Sequence, residues 1–210
     1  GFLGASGYMT VEQMIECADY GFEMLSHGHT ISGNLIDDCP TDEDLRYQLQ
    51  ASKEFLVNCG VPCTGIVYPQ NRHNLNVRNM SSFYFNYGFG NVGFNDGGYI
   101  IPYQIKRIAF GSWTGSNPTV NGNSEKNTLA YYKACVDYAK ENNAWLVFML
   151  HIGQQPLEQD QILSDLIDYI KGQGIDIVTP REGFEIKANK VSIGDIEDNH
   201  LYIGKQIKSN

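Results

Sequence analysis

Three histidines follow apolar segments of the chain, and imidazole is the side chain best suited to bind a metal or carry a proton near neutral pH. His27 and His29 come directly after residues 22–26, and His151 comes directly after residues 145–150. In extended backbone, residues two apart point to the same face, and imidazole pairs suit Zn, Co, Ni or Fe. The pattern indicates a metal site at His27 and His29 or, alternatively, two polar loop histidines without a ligand.

Apolar periodicity places these histidines within an alternation of strands and helices. We predict strands over residues 22–26, 63–68, 105–110, 144–150 and 175–178, and helices over residues 9–20, 42–59, 74–87, 125–141, 156–171 and 181–184. The stretch 88–98 is rich in glycine and aromatics and is interpreted as a packed loop or the lining of a groove. The near-continuous apolar run 144–150 is typical of a parallel strand buried on both faces. The alternation therefore predicts an α/β fold with a parallel sheet and outer helices.

Sites in such folds lie at the carboxyl ends of the strands. His27, Tyr68, Pro69 and His151 all fall at predicted strand ends, so a parallel sheet would bring them to one rim. Each also has an ordinary alternative: His151 as a core histidine bonded to backbone, and Tyr68-Pro69 as a strand-ending turn.

Two further residues are candidates near the same rim. Arg107 lies within the predicted strand 105–110, where the alternative is a solvated charge at a strand edge. Trp113 lies in a polar loop and offers a flat apolar face on which a sugar ring could stack; alternatively, it belongs to the core.

Composition limits the classes of function. The chain has 210 residues, a formal charge of −9 and 42% hydrophobic residues, as expected for one globular domain. The acidic balance disfavours binding to nucleic acid or to anionic membrane surfaces, and no apolar run reaches the roughly 18 residues of a spanning helix. The start of the chain has no signal-peptide pattern and is interpreted as the middle of a longer protein. Its five cysteines form no CxxC pair and are predicted to be reduced and structural.

Several short motifs, in order, resemble those of the polysaccharide deacetylase family, the NodB-homology carbohydrate esterases. Residues 21–27, Gly-Phe-Glu-Met-Leu-Ser-His, resemble the second motif of the family. Val67-Tyr68-Pro69-Gln70 resembles the third motif and Leu150-His151-Ile152 the fifth, while residues 7–14 resemble a helix start in the family. The resemblance covers most of residues 1–184 and is nearest to domains of Gram-positive bacteria and their phage tails.

The resemblance implies a distorted (β/α)7-type barrel, truncated at its first strand, over residues 1–186, with residues 187–210 as a β extension or linker. It also implies a divalent metal, Zn or Co, held by His27 with His29. His151 would be the general acid and Arg107 an orienting residue. The substrate would contact Tyr68, Pro69, Gln70 and Trp113, with the Gln70 N–H in the oxyanion hole.

The chain departs from the family pattern in ways that bear on activity. The first motif, which supplies a metal ligand and the catalytic base, is not present, and Ile31 stands where a second histidine is expected. We therefore expect either a metal-dependent hydrolase that removes acetyl groups from a polysaccharide such as peptidoglycan, or an inactive domain that binds glycan or serves as a structural module. Either would work outside the cell or at its envelope.

Overall fold

The structure is a computed structural model that describes residues 8–97, 100–151 and 157–189. Its helices are α1 (Val11–Asp19), α2 (Asp42–Asn58), α3 (Leu75–Ser81), α4 (Leu129–Glu141), α5 (Glu158–Gly172) and α6 (Pro180–Asn189). Its strands are β1 (Gly65–Val67), β2 (Tyr87–Val92), β3 (Ile105–Phe110) and β4 (Phe148–Leu150). None of the helices in this part of the chain is long and apolar enough to cross a membrane.

The four strands form one sheet in the order β1-β2-β3-β4, and every neighbouring pair is parallel. Sequential neighbours in a parallel sheet are typical of barrels, and here the sheet curls into a half-barrel with helices around it. The predicted α/β fold and the truncated barrel are therefore confirmed. Ahead of β1, residue Ser26 makes a single parallel bridge to Ile66.

The structure has no regular strand at two of the predicted positions, residues 22–26 and 175–178. In the segment 22–26, the backbone pairing with the sheet is the Ser26 bridge, in which the Ser26 N–H donates to Gly65 O and the Val67 N–H donates to Ser26 O. The segment 175–178 is not a strand, although its sequence favours one. The segment 22–26 lies beside β1, at the edge of the sheet, where a neighbouring strand on only one side gives less pairing.

Strand β2 lies in the glycine-rich stretch that was interpreted as loop or groove, and that interpretation was wrong. Glycine is required there because aromatic rings occupy the space beside the backbone. A Cβ at Gly88 would lie 2.6 Å from the Tyr68 hydroxyl oxygen, and one at Gly90 would lie 2.4 Å from His73 Cδ2. The pairing of β2 with β3 also shifts register between Phe89 and Asn91, as at a β-bulge.

Alternating residues of the strands divide the apolar side chains into inner and outer clusters. The inner cluster lies inside the half-barrel and is built around Tyr87, Phe89 and Ile105. Leu25, Val67, Trp145, Val147 and Phe184 pack against it. The outer clusters bind the sheet to its helices: Ile108 and Phe110 pack with α4 and α5, and Ile66 packs with residues of α2 and α3.

The helices begin at the caps that the sequence contains. The predicted capping box at Thr10 and Gln13 is present before α1, and Thr41 with Asp44 forms another before α2. Helix α4 begins at Leu129 rather than at residue 125 because Thr128 is its N-cap. Helix α6 runs to Asn189, past the predicted boundary at residue 186, and the predicted β extension otherwise lies outside the described residues.

Glu23 joins distant parts of the chain at the amino end of the half-barrel. Its Oε1 accepts hydrogen bonds from the hydroxyls of Thr64 and Tyr87. Its Oε2 accepts one from the Arg181 N–H, at 2.6 Å, in the first turn of α6. Glu23 thereby connects the first segment, β1, β2 and α6.

Candidate active site

His27 lies at the carboxyl end of the first segment, with its tautomer fixed by the backbone. Its Nδ1 lies 2.7 Å from the Val67 carbonyl oxygen. Because a carbonyl can only accept, Nδ1 carries the hydrogen, and Nε2 keeps the lone pair that could bind a metal or accept a proton. The preceding Ser26 anchors this end through a 2.7 Å bond between its hydroxyl and that of Ser52 on α2.

The imidazole of His27 is close enough to two other cationic groups to be affected by them. Removal of the ring from water lowers its pKa most, and the charges of Arg107 and His151 lower it further, against the opposing effect of the Val67 hydrogen bond. The residue nonetheless keeps exposed surface, so the ring is partly surrounded by protein yet open to a ligand. The convergence of His27 and His151 at one rim stays a prediction, which this electrostatic effect supports.

Arg107 is buried, with 8% of its surface exposed, contrary to the alternative of a solvated strand-edge charge. Its Nη2 donates a hydrogen bond to Asn71 Oδ1, which lies just after β1. Since β2 separates β1 from β3, the guanidinium extends across the inner side of the sheet. Burial lowers the pKa of Arg107 to about 10, so the group remains charged at neutral pH. We call His27, Arg107 and His151 the basic cluster.

The other predicted site residues lie in different surroundings. The ring of His29 packs edge-on against Tyr47 of α2, with ring centroids 5.8 Å apart. Tyr68 is fully buried among outer-cluster residues, where burial raises its pKa. Its side chain therefore belongs to the core and does not face the basic cluster, contrary to the predicted substrate contact.

The turn after β1 carries Pro69 and Gln70, and the loop after β3 carries Trp113. Pro69 is buried, whereas Gln70 is exposed and has left-handed backbone, with φ of 56°. The amide of Asn34 donates to Gln70 Oε1 at 3.4 Å. Trp113 also has left-handed backbone and is 72% exposed. Of these three, Gln70 and Trp113 are accessible at the carboxyl end of the sheet.

The residues that the structure describes do not make up a metal site. No group of three or more His, Cys, Asp or Glu side chains among them could hold an ion. His27 has the free Nε2 and the supporting carbonyl that a ligand needs. The ring of His29, the second predicted ligand, packs against Tyr47. The described ligand set therefore does not fit the metal that the resemblance implies.

Asn71 is the site residue that sequence reasoning missed. It also has left-handed backbone, with φ of 57°, directly after Gln70, and its side chain holds Arg107. Asparagine tolerates this conformation better than most residues, but nothing in the local sequence indicates a contact 36 positions away. Two surface cavities, of about 380 and 170 Å³, lie elsewhere, beside Tyr84 and beside Glu23.

Comparisons with known proteins give two structural similarities. No family model and no curated protein matches the chain. Among solved structures, the chain is similar to a polysaccharide deacetylase from Bacillus cereus, with 22% identity over 49% of this chain and 31% of that one, and a TM-score of 0.39. It is also similar to a Bacillus anthracis protein provisionally designated a polysaccharide deacetylase, with 24% identity over 43% of this chain and 28% of that one, and a TM-score of 0.38. The aligned part is thus less than a third of either protein.

Proposed function

We propose that this domain belongs to a hydrolase that removes N- or O-acetyl groups from a polysaccharide of the cell wall or cell surface. The observation that supports the proposal is the basic cluster: the charges of Arg107, within β3, and of His151, directly after β4, act on His27 at the end of the first segment. The motif order in the sequence supplies the class of reaction, and the exposed Trp113 supplies a face for a sugar ring.

The residues of this chain have separable roles in the proposed reaction. His151, exposed after β4, would donate a proton to the leaving amine or alcohol, a role suited to imidazole near neutral pH. The Gln70 N–H would donate to the oxygen on which negative charge develops. Bound metal would supply an activated water in enzymes of this kind. Because the described ligand set is incomplete, we derive no step through a metal.

A second function is a glycan-binding or structural module without catalysis, in a surface or phage-tail protein. The observation that favours it is the ligand set: His27 has an oriented nitrogen, but the described part of the chain has no group of three or more side chains that could hold an ion. Trp113 and Gln70 remain accessible in either case, so a sugar-binding role does not depend on the chemistry.

The two functions are distinguished by measuring acetate release and glycan binding on the same samples. The protein is incubated with N-acetylated chito-oligosaccharide or peptidoglycan, with and without Zn or Co. The proposed hydrolase releases acetate, and His151→Gln lowers the rate by roughly 100-fold or more. Glycan binding that depends on Trp113, with no acetate under any metal, would establish the second function instead.

Metal content gives a separate test of His27. We expect His27→Ala to lose any metal that copurifies or binds on addition of Zn, while His29→Ala, whose ring lies against Tyr47, keeps it. Elemental analysis after gel filtration measures both. Equal metal content in wild type and His27→Ala would show that His27 is not a ligand.

A further inference from the structure

Left-handed backbone is found in a few residues other than glycine, and its distribution is uneven. Among the residues that the structure describes, there are five: Gln70, Asn71, Trp113, Asn121 and Asn143. Three are asparagines, which tolerate this conformation, whereas a bulky residue with such a backbone is an outlier. The other two, Gln70 and Trp113, are exposed and follow β1 and β3 at the carboxyl end of the sheet. Backbone strain of this kind persists chiefly where a ligand is bound.

The loop that carries Trp113, residues 111–117, is fastened at its far end to the strand from which it starts. The side-chain amide of Asn117, which is 2% exposed, accepts a hydrogen bond from the Ala109 N–H at 2.9 Å. The same amide donates one to Ala109 O at 2.8 Å. In the middle of the loop, Gly115 O accepts a hydrogen bond from Lys126 Nζ at 3.0 Å. The loop therefore leaves β3 and returns to it within a few residues.

The near end of loop 111–117 is held by two side chains of the α4 region. The Gly111 N–H donates to the hydroxyl oxygen of Tyr132 at 3.0 Å, and the amide of Asn127 donates to Gly111 O at 3.2 Å. The Tyr132 hydroxyl donates in turn to Asn127 Oδ1 at 2.6 Å. Tyr132 is fully buried, with its ring stacked on that of Phe110. Both backbone polar groups of Gly111 are thus bonded, two residues before Trp113.

The side chain at the centre of this loop contributes little to the fold. The indole of Trp113 is 72% exposed and belongs to none of the apolar clusters in the described part of the chain. We propose that Asn117 and Tyr132 are positioning residues that hold Trp113 as a preformed stacking platform for a sugar ring, at a cost to the stability of the free protein. A platform that is already ordered loses little conformational entropy on binding. The inference rests on the proposed function for the kind of ligand, and it adds the residues that prepare the site.

The first test compares thermal stability with glycan binding in two variants of the whole chain. Glycine adopts left-handed backbone readily and alanine does not, so we expect Trp113→Gly to melt about 2–4 °C above Trp113→Ala and no lower than wild type. In calorimetric titration, both variants should bind N-acetylated chito-oligosaccharide at least about tenfold more weakly than wild type. A Trp113→Gly variant less stable than wild type, or wild-type affinity in either variant, would overturn the proposal.

The second test concerns the residues that hold the loop. Tyr132→Phe keeps the ring beside Phe110 but removes the hydroxyl that Gly111 contacts. The NMR order parameter of the Trp113 backbone N–H, about 0.85 for a rigid chain, should fall in this variant. The affinity for chito-oligosaccharide should decrease by roughly three- to tenfold, because binding must now order the loop.

Tyr103→Phe is the matched control, since its hydroxyl donates to Phe85 O at 2.8 Å, outside this loop; it should change neither the order parameter nor the affinity. If Tyr132→Phe does not fold, Lys126→Met is the second variant, and loss of its bond to Gly115 O should change both quantities in the same direction. Equal order parameters and equal affinities in the variant and the control would overturn the proposal.

The outcome is independent of whether the hydrolase proposal holds. Chito-oligosaccharide binding that depends on Trp113 and Tyr132, without acetate release, would leave this inference intact and remove only the hydrolase. Acetate release at the wild-type rate by Trp113→Gly, with unchanged affinity for chito-oligosaccharide, would do the reverse.

Discussion

Replacing Glu23 by alanine should destabilise the whole half-barrel, because this carboxylate connects four parts of the chain. The substitution removes three hydrogen bonds, from the hydroxyls of Thr64 and Tyr87 and from the Arg181 N–H. Bonds to a charged acceptor contribute about 1.5–3 kcal/mol each when buried, and about 1 kcal/mol where water competes. Glu23 is half-buried, so we expect a loss of about 3 kcal/mol in the free energy of unfolding.

For a domain of this size, each kcal/mol corresponds to about 2–4 °C in melting temperature, so the expected fall is about 6–12 °C. Urea denaturation followed by circular dichroism measures the free energy directly. Glu54→Ala is the matched control, since Glu54 is an exposed residue on α2 bonded to Gln50; it should change stability by less than about 0.5 kcal/mol.

A double-mutant cycle with Tyr87→Phe isolates the bond between Glu23 and the buried tyrosine. The hydroxyl of Tyr87 also lies 2.9 Å from that of Thr64, so it keeps one partner when Glu23 is removed. We therefore expect a coupling energy of about 1–2 kcal/mol between the two substitutions. Strict additivity, or a Glu23→Ala variant as stable as Glu54→Ala, would refute the role assigned to this carboxylate.

Two further predictions concern β2, which was not predicted from the sequence, and His73, which packs beside it. Gly88→Ala should cost about 1–3 kcal/mol in chemical denaturation, because its Cβ would overlap the ring of Tyr68; Gly115→Ala, with open space around it, should be near neutral, and equal effects would contradict the packing. The pKa of His73 is lowered from its ordinary 6.5 by burial and by Arg78, so the unfolded chain takes up the proton first as pH falls. Stability should therefore decrease from pH 7 towards pH 5, and His73→Gln should decrease less over that range; identical slopes would show that His73 does not contribute.

The parts of the fold that were predicted correctly have local and long-range signals that agree. Helix α2 has a capping box at Thr41 and Asp44, an acidic first turn and an apolar stripe, and its observed range is Asp42–Asn58. Strand β3, Ile105–Phe110, alternates between the inner and outer clusters as its sequence suggests. Where each level of information points to the same structure, a single sequence is sufficient.

Strand β2 was not predictable because its glycines are explained only by distant residues. In isolation, Gly88 and Gly90 disfavour a strand. They are tolerated because two aromatic rings fill the space that side chains would occupy. Tyr68 directly follows β1, and His73 lies in the turn after it. The information is in the sequence, but it is a packing relation between positions about 20 apart and leaves no local pattern.

Some features of the candidate site can likewise be predicted from the sequence, and others cannot. The strand ends predict that His27 and His151 meet, because parallel strands bring their carboxyl ends to one edge, and this stays a prediction. Tyr68 also stands at a strand end, yet its side chain is buried in the outer cluster. A shift of one residue reverses the face of a strand, and the sequence did not specify the register of β1. The contact of Asn71 with Arg107 likewise depends on two left-handed residues in a turn.

The two ends of the half-barrel differ in how their polar groups are bonded, and this difference links the fold to the proposed chemistry. At the amino end, Glu23 accepts hydrogen bonds from the Tyr87 hydroxyl and from the Arg181 N–H of α6. At the carboxyl end, only four residues along the same segment, His27 shares its surroundings with Arg107 and His151. Glu23 at the amino end therefore serves the fold, whereas the Nε2 of His27 at the carboxyl end keeps a lone pair for a ligand or a proton.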